Sequence, residues 1–228
     1  MINKNSFAET IDNLNEAFFF NKKIAEKDKV ESAKWIAGRQ GLPGAYRGMF
    51  APTRADFEKG IRVFTGERIT SNAAIRHILS EEASRVLLMM KVKNADVKKA
   101  YELSKQSLLN ALLEGYPPGK EAGFYCCGKC SAALWRHFTA GGFDNADVRL
   151  ANGLHFLKMM RTGNGKWKRF PFYYTILALY DINLPEAHEE LVYTAPLMER
   201  SLRYLKHKDK YGKRRKVLLE RVLDKISK

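Results

Sequence analysis

Apolar residues recur along most of the chain at intervals of three and four, the spacing of one face of an α-helix. Residues 71–88 show this plainly. Ala73, Ala74 and Ile75 are followed by Ile78 and Leu79, then by Val86, Leu87 and Leu88. Ser71 or Asn72 precedes them as an N-cap. A second such run holds Val97, Ala100, Leu103, Leu108, Leu109 and Leu112, with Asn94 or Asp96 as its cap. No alternating apolar and polar run bounded by turn residues marks a strand. The pattern predicts an all-α chain.

Glycine, proline and aromatic residues punctuate the helices in a recurring style. Three turns carry small or flexible residues, then an aromatic, then the next helix: Gly41–Phe50, Pro117–Tyr125 and Gly163–Phe172. A helix-like run precedes each: residues 33–40, 104–113 and 148–160. Val97 and Ala100 match Val148 and Ala151 at an offset of 51 residues. Both of these units end in a small, apolar helix, Cys130–Trp135 in one and Thr175–Tyr180 in the other. A weaker fourth unit runs through Tyr193–Leu205, a basic turn and Val217–Ile226. A single hairpin cannot bury its own apolar face, whereas stacked hairpins can.

Two of these units resemble the repeat of the terpenoid cyclase and protein prenyltransferase superfamily. One holds Trp35, Ile36, Arg39, Gln40, Gly44, Tyr46, Gly48 and Phe50. The other holds Leu157, Arg161, Gly163, Gly165, Trp167, Phe170, Pro171, Thr175, Ala178 and Leu179. The resemblance covers residues 33–64 and 97–182. It implies hairpin repeats forming an α/α toroid-like arc or incomplete ring, because a full toroid needs about six hairpins and three or four are present. One domain over residues 1–228 is expected, with an N-terminal helix in 1–32, hairpins in 33–190 and a basic helix pair in 191–228. The family's chemistry is not carried over with its repeat. The stretch nearest to the cyclase acid motif, Asp144–Asp147, lacks paired aspartates, and no Asp-Asp-x-x-Asp metal motif is present.

Composition is compatible with this picture. The 228 residues are 45% hydrophobic and 11% aromatic, enough for a substantial core. No apolar run reaches the roughly 18 residues of a membrane span. The first residues lack the pattern of a signal peptide, so a cytoplasmic location is expected. The net charge of +15 changes the picture more. Residues 203–228 hold eleven basic residues against three acidic ones, an excess of eight. Lys213, Arg214, Arg215 and Lys216 are the candidates for phosphate contacts in weak, non-specific nucleic-acid binding. A solvated basic turn is the plainer reading, since no helix-turn-helix, zinc-finger or RNP signature accompanies them.

The cysteines lie together as Cys126, Cys127 and Cys130. Cys127 and Cys130 are candidates for a metal site or for thiol chemistry. There is no second Cys-x-x-Cys, and His137 lies two helical turns past Cys130, about 10 Å away. Close packing of an apolar helix by small residues therefore accounts for them most simply. No metal or cofactor is expected.

The aromatic residues at the turns, Tyr46, Tyr125, Trp167 and Tyr173, together with Trp135 and His155, are candidates for lining an apolar ligand site. Their plainer role is to wedge hairpins together. His77 and Glu81 are one helical turn apart, spaced for acid–base work or for an exposed or packed pair. Arg39 and Arg161, near equivalent helix ends, are expected to bind carbonyls there. The resulting functional expectation is a helical protein that binds an apolar or acidic ligand or partner in its concave face. An enzyme acting on an isoprenoid-like substrate and a non-specific nucleic-acid binder are the alternatives.

Overall fold

The computed structural model describes residues 1–114, 121–206 and 208–227. The chain forms two compact units. Unit 1 comprises residues 1–62, 68–120 and 140–143; unit 2 comprises 63–67, 121–139 and 144–228. Both are helical, as the spacing of apolar residues predicts, and no helix among the described residues is long and apolar enough to cross a membrane.

Unit 1 holds α1 (Phe7–Phe19), α2 (Glu26–Ala37), α3 (Arg54–Lys59), α4 (Asn72–Met90) and α5 (Ala95–Glu114). The segment 1–32 thus contains one whole helix and the start of a second, so residue 33 lies inside α2. A two-stranded antiparallel ribbon, β1 (Ile61–Arg62) with β2 (Arg68–Ile69), interrupts the helices. Strands of two residues are too short to leave an alternating signature in the sequence. Of the two proposed caps for α5, Asn94 is the one used: its side chain accepts the Val97 N–H at 3.1 Å.

Helix α4 packs against α1, α2, α3 and α5. Its polar residues are buried with its apolar ones: His77, Ser80, Glu81, Glu82, Ser84 and Arg85. His77 and Glu81 are therefore a packed pair of positions rather than an exposed one. Asn15 on α1 satisfies two of the polar neighbours. Its amide donates to Glu82 Oε2 at 2.9 Å, and its carbonyl oxygen accepts from Arg85 at 2.8 Å. Buried charges require such partners.

Unit 2 holds α6 (Gly128–Thr139), α7 (Ala146–Met159), α8 (Phe172–Asp181), α9 (Pro185–Tyr204) and α10 (Lys210–Ile226). Helix α8 packs against α6, α9 and α10, and α9 also packs against α7 and α10. Trp135, Tyr174, Ile176, Leu179, Leu218 and Leu219 form much of the buried core. The proposed turn at 117–125 is described only from residue 121; residues 117–120 lie outside the described residues.

The turns after α2 and α7 share one backbone device. After α2, Gln40 bridges Phe50; after α7, Arg161 bridges Trp167. In the first turn, Ala51 N–H donates to Arg39 O at 3.0 Å and Gly41 N–H to Met49 O at 2.8 Å. In the second, Lys168 N–H donates to Met160 O at 2.8 Å and Thr162 N–H to Lys166 O at 3.0 Å. The residue equivalent to Trp167 is accordingly Phe50, and Tyr46 lies within the longer first loop. Arg39 binds carbonyls, as expected, but those of Ala51 and Pro52 rather than those of its own helix. Arg161 pairs with the carboxylate of Glu190 and also reaches the Glu189 carbonyl at 3.4 Å.

Candidate functional site

Where α4 gives way to α5, unit 1 contains an open groove of about 580 Å³. The chain turns sharply there. Lys91 caps α4 in the left-handed region at φ 53°, and Asn94 then starts α5. This turn leaves Lys91, Lys93 and Lys98 exposed along the rim. The floor is apolar and includes the buried side chains of Leu87, Val97 and Tyr101. Glu102 also lines the groove, and Lys105 lies 3.9 Å from it. Burial, followed by the charges of Glu102 and Glu81, pushes the Tyr101 phenol up, so it stays neutral. An apolar floor under a cationic rim is chemically suited to a molecule with an apolar body and an anionic end.

The residues proposed from sequence lie elsewhere. Tyr46 is half-buried in unit 1 and its ring lies tilted at 58° against His77, with ring centroids 3.6 Å apart. In unit 2, Tyr125 and Trp135 are buried, and the Trp135 indole N–H donates to Gly123 O at 2.6 Å. His155 is exposed on α7. Tyr173 is half-buried beneath the Arg215 guanidinium, which lies 4.5 Å from its ring centre. Trp167 is buried and donates to Glu190 Oε2 at 2.7 Å. None of the six lines the groove. Sequence reasoning missed this site, although its signal is visible: Lys91, Lys93 and Lys98 flank the α5 cap, with Val97 and Tyr101 one turn apart on the same helix face.

The basic C-terminal segment is less solvated than expected. Asp209 caps α10 by accepting the Gly212 N–H at 2.7 Å, so Lys210–Lys216 are the first two turns of a helix. Arg214 is 2% exposed; it donates to Phe64 O at 3.0 Å, and its guanidinium lies 4.2 Å from the Phe64 ring centre. Arg215 donates to Thr65 O at 2.6 Å. Lys213 is exposed, and Lys216 lies 3.8 Å from Glu220. Both arginines thus point to backbone carbonyls within unit 2. His207 lies outside the described residues.

The cysteines form a third constellation, at the start of α6. Cys126 is exposed, Cys127 half-buried and Cys130 buried; all three are free thiols. The sulfur atoms of Cys126 and Cys130 lie within 4.8 Å of each other. Cys127 sits at the N-cap position, where its carbonyl accepts both the N–H and the hydroxyl of Ser131 at 2.9 Å. Hydrogen bonds from Cys126 and Cys130 hold the Cys127 thiol well below the usual range, and the N–H groups of Cys130 and Lys129 reinforce them. The bond with Cys127 pushes Cys126 up, bonds with Cys126 and then Cys127 push Cys130 up, and burial adds to both. A glycine is required between the thiols. A Cβ at position 128 would lie 2.6 Å from Arg169 O and 2.7 Å from the Phe170 ring. The packing reading thus describes Cys130 but not the exposed Cys126.

No protein-family model, no curated protein and no solved structure matches this chain.

Proposed function

We propose that the chain is a helical-hairpin protein of the terpenoid cyclase and prenyltransferase kind that binds a small ligand with an apolar body and an anionic end. Two turns with the same backbone ladder, at Gln40–Phe50 and Arg161–Trp167, support the repeat. The binding reading is carried by one observation: the apolar groove at the α4–α5 turn is rimmed by Lys91, Lys93 and Lys98. The family's acidic motifs are absent from the sequence, so the reading is one of binding rather than of prenyl chemistry.

Calorimetric titration with farnesyl diphosphate, a medium-chain fatty acid and farnesol tests it. The two anions should bind at least tenfold more tightly than the neutral alcohol. Exposed ion contacts contribute up to about 1 kcal/mol each. Reversing two rim charges, Lys91→Glu with Lys98→Glu, should therefore weaken anion binding by roughly 2 kcal/mol, or about thirtyfold. Equal binding of farnesol and the acids, or unchanged affinity in the double variant, would refute the reading.

A further inference from the structure

We propose that Cys127 and Cys130 form a redox-active dithiol that exchanges with disulfides, an activity independent of the lysine-rimmed groove. The pair reads Cys127-Gly-Lys-Cys130 across the start of α6. Residues three apart on an α-helix have Cα atoms about 5 Å apart, inside the Cα range that a disulfide spans. The two positions differ in the way such chemistry requires. Cys127 is half-buried and sits at the N-cap, where the thiols of Cys126 and Cys130 and then the N–H groups of Cys130 and Lys129 face its sulfur. The N–H groups have no partner further back in the helix, so they add to the thiol donors in favouring a thiolate. Cys130 is buried one turn later and retains its proton until a neighbouring sulfur is oxidised. Gly128 lets the turn between them press against Arg169 O and Phe170, which holds the two thiols in place.

The exchange balances with a disulfide RSSR as the oxidant. The Cys127 thiolate attacks one sulfur, the S–S bond breaks, and RS⁻ departs while a Cys127–SR mixed disulfide forms. Cys130 then gives up its proton and attacks the Cys127 sulfur. The second RS⁻ leaves as the Cys127–Cys130 bond forms. The protein loses two hydrogens and two RSH are produced. Run backwards, the same steps reduce the protein disulfide with two thiols.

The test equilibrates the full chain in glutathione buffers ranging from fully reduced to fully oxidised. Each sample is quenched in acid, and intact mass and cysteine-linked peptides are read. The parent protein should lose two hydrogens in a sharp transition, with the new bond joining Cys127 to Cys130. Cys126→Ser, whose hydroxyl can still donate to the Cys127 sulfur, should form the same Cys127–Cys130 bond, with the midpoint of the transition free to move. Cys130→Ser should accumulate one glutathione on Cys127, because the resolving thiol is gone. The proposal is overturned if the parent thiols remain reduced across the series, or if the bond uses Cys126. It is also overturned if a stoichiometric metal ion on the purified protein must be stripped before any thiol reacts. The measurement on the parent does not depend on whether a variant folds.

Discussion

Replacing Trp167 tests how the turn after α7 is held. Its side chain is 3% exposed, and its indole N–H donates to Glu190, itself 1% exposed. Arg161 binds the same carboxylate through contacts of 2.9 and 3.1 Å. Thr194 and Tyr193, on the same helix as Glu190, bind the turn backbone at Gly165 O and Lys166 O. Helix α9 thus grips the turn at several points. Trp167→Phe keeps most of the ring volume and removes the donor. The lost charge-assisted bond should cost about 1.5–3 kcal/mol. Trp167→Ala also empties the ring site and should cost about 3–5 kcal/mol. For a chain of this size, each kcal/mol lowers Tm by roughly 2–4 °C, so the alanine variant should melt roughly 6–20 °C lower. Far-UV circular dichroism melts measure this, and hydrogen exchange should show faster exchange in residues 160–168. A cycle combining Trp167→Phe with Glu190→Gln should give a coupling of about 0.5–3 kcal/mol. Coincident melts for parent and both Trp167 variants would refute the clasp.

Other expectations follow from the same geometry. Gly128→Ala forces a Cβ against the Arg169 carbonyl and should destabilise the fold by about 1–3 kcal/mol, as measured by denaturant unfolding. Arg214→Ala removes a buried cation bonded to Phe64 O and should cost about 3 kcal/mol, whereas Lys213→Ala should stay within about 0.5 kcal/mol. Nucleic-acid binding by the C-terminal segment, measured on two unrelated duplexes over a salt series, should be weak, indifferent to sequence and steeply lost with salt. An ordinary thiol loses about tenfold in alkylation rate for each pH unit below about 8.5. Cys127, whose folded pKa is depressed, stays charged as pH falls, so its iodoacetamide rate should be nearly flat between about pH 8 and pH 6. Peptide-resolved labelling reads that slope, and a tenfold drop per unit at Cys127 would contradict the assigned hydrogen bonds.

The helices were legible because their information is local. Spacing of three and four marks α4 and α5, and glycine and aromatic residues mark the turns after α2 and α7, without reference to any distant residue. What each side chain does was not legible, because that depends on partners far along the chain. Trp167 is tied down by Glu190, and Arg214 turns inward to Phe64, 150 residues away. In sequence, Arg214 is indistinguishable from the lysines around it. The spacing of His77 and Glu81 left an exposed pair and a packed pair both open; burial of α4 decides for the packed one, and the amide of Asn15 meets Glu82 beside them. The groove depends on folding in another way. Its lysines are local to one turn, but its floor exists only because Leu87 on α4 comes beside Val97 and Tyr101 on α5. The cysteines show the division within five residues. Their spacing is set by the sequence, but their burial is set by tertiary packing, and burial is what separates a half-buried Cys127 from an enclosed Cys130.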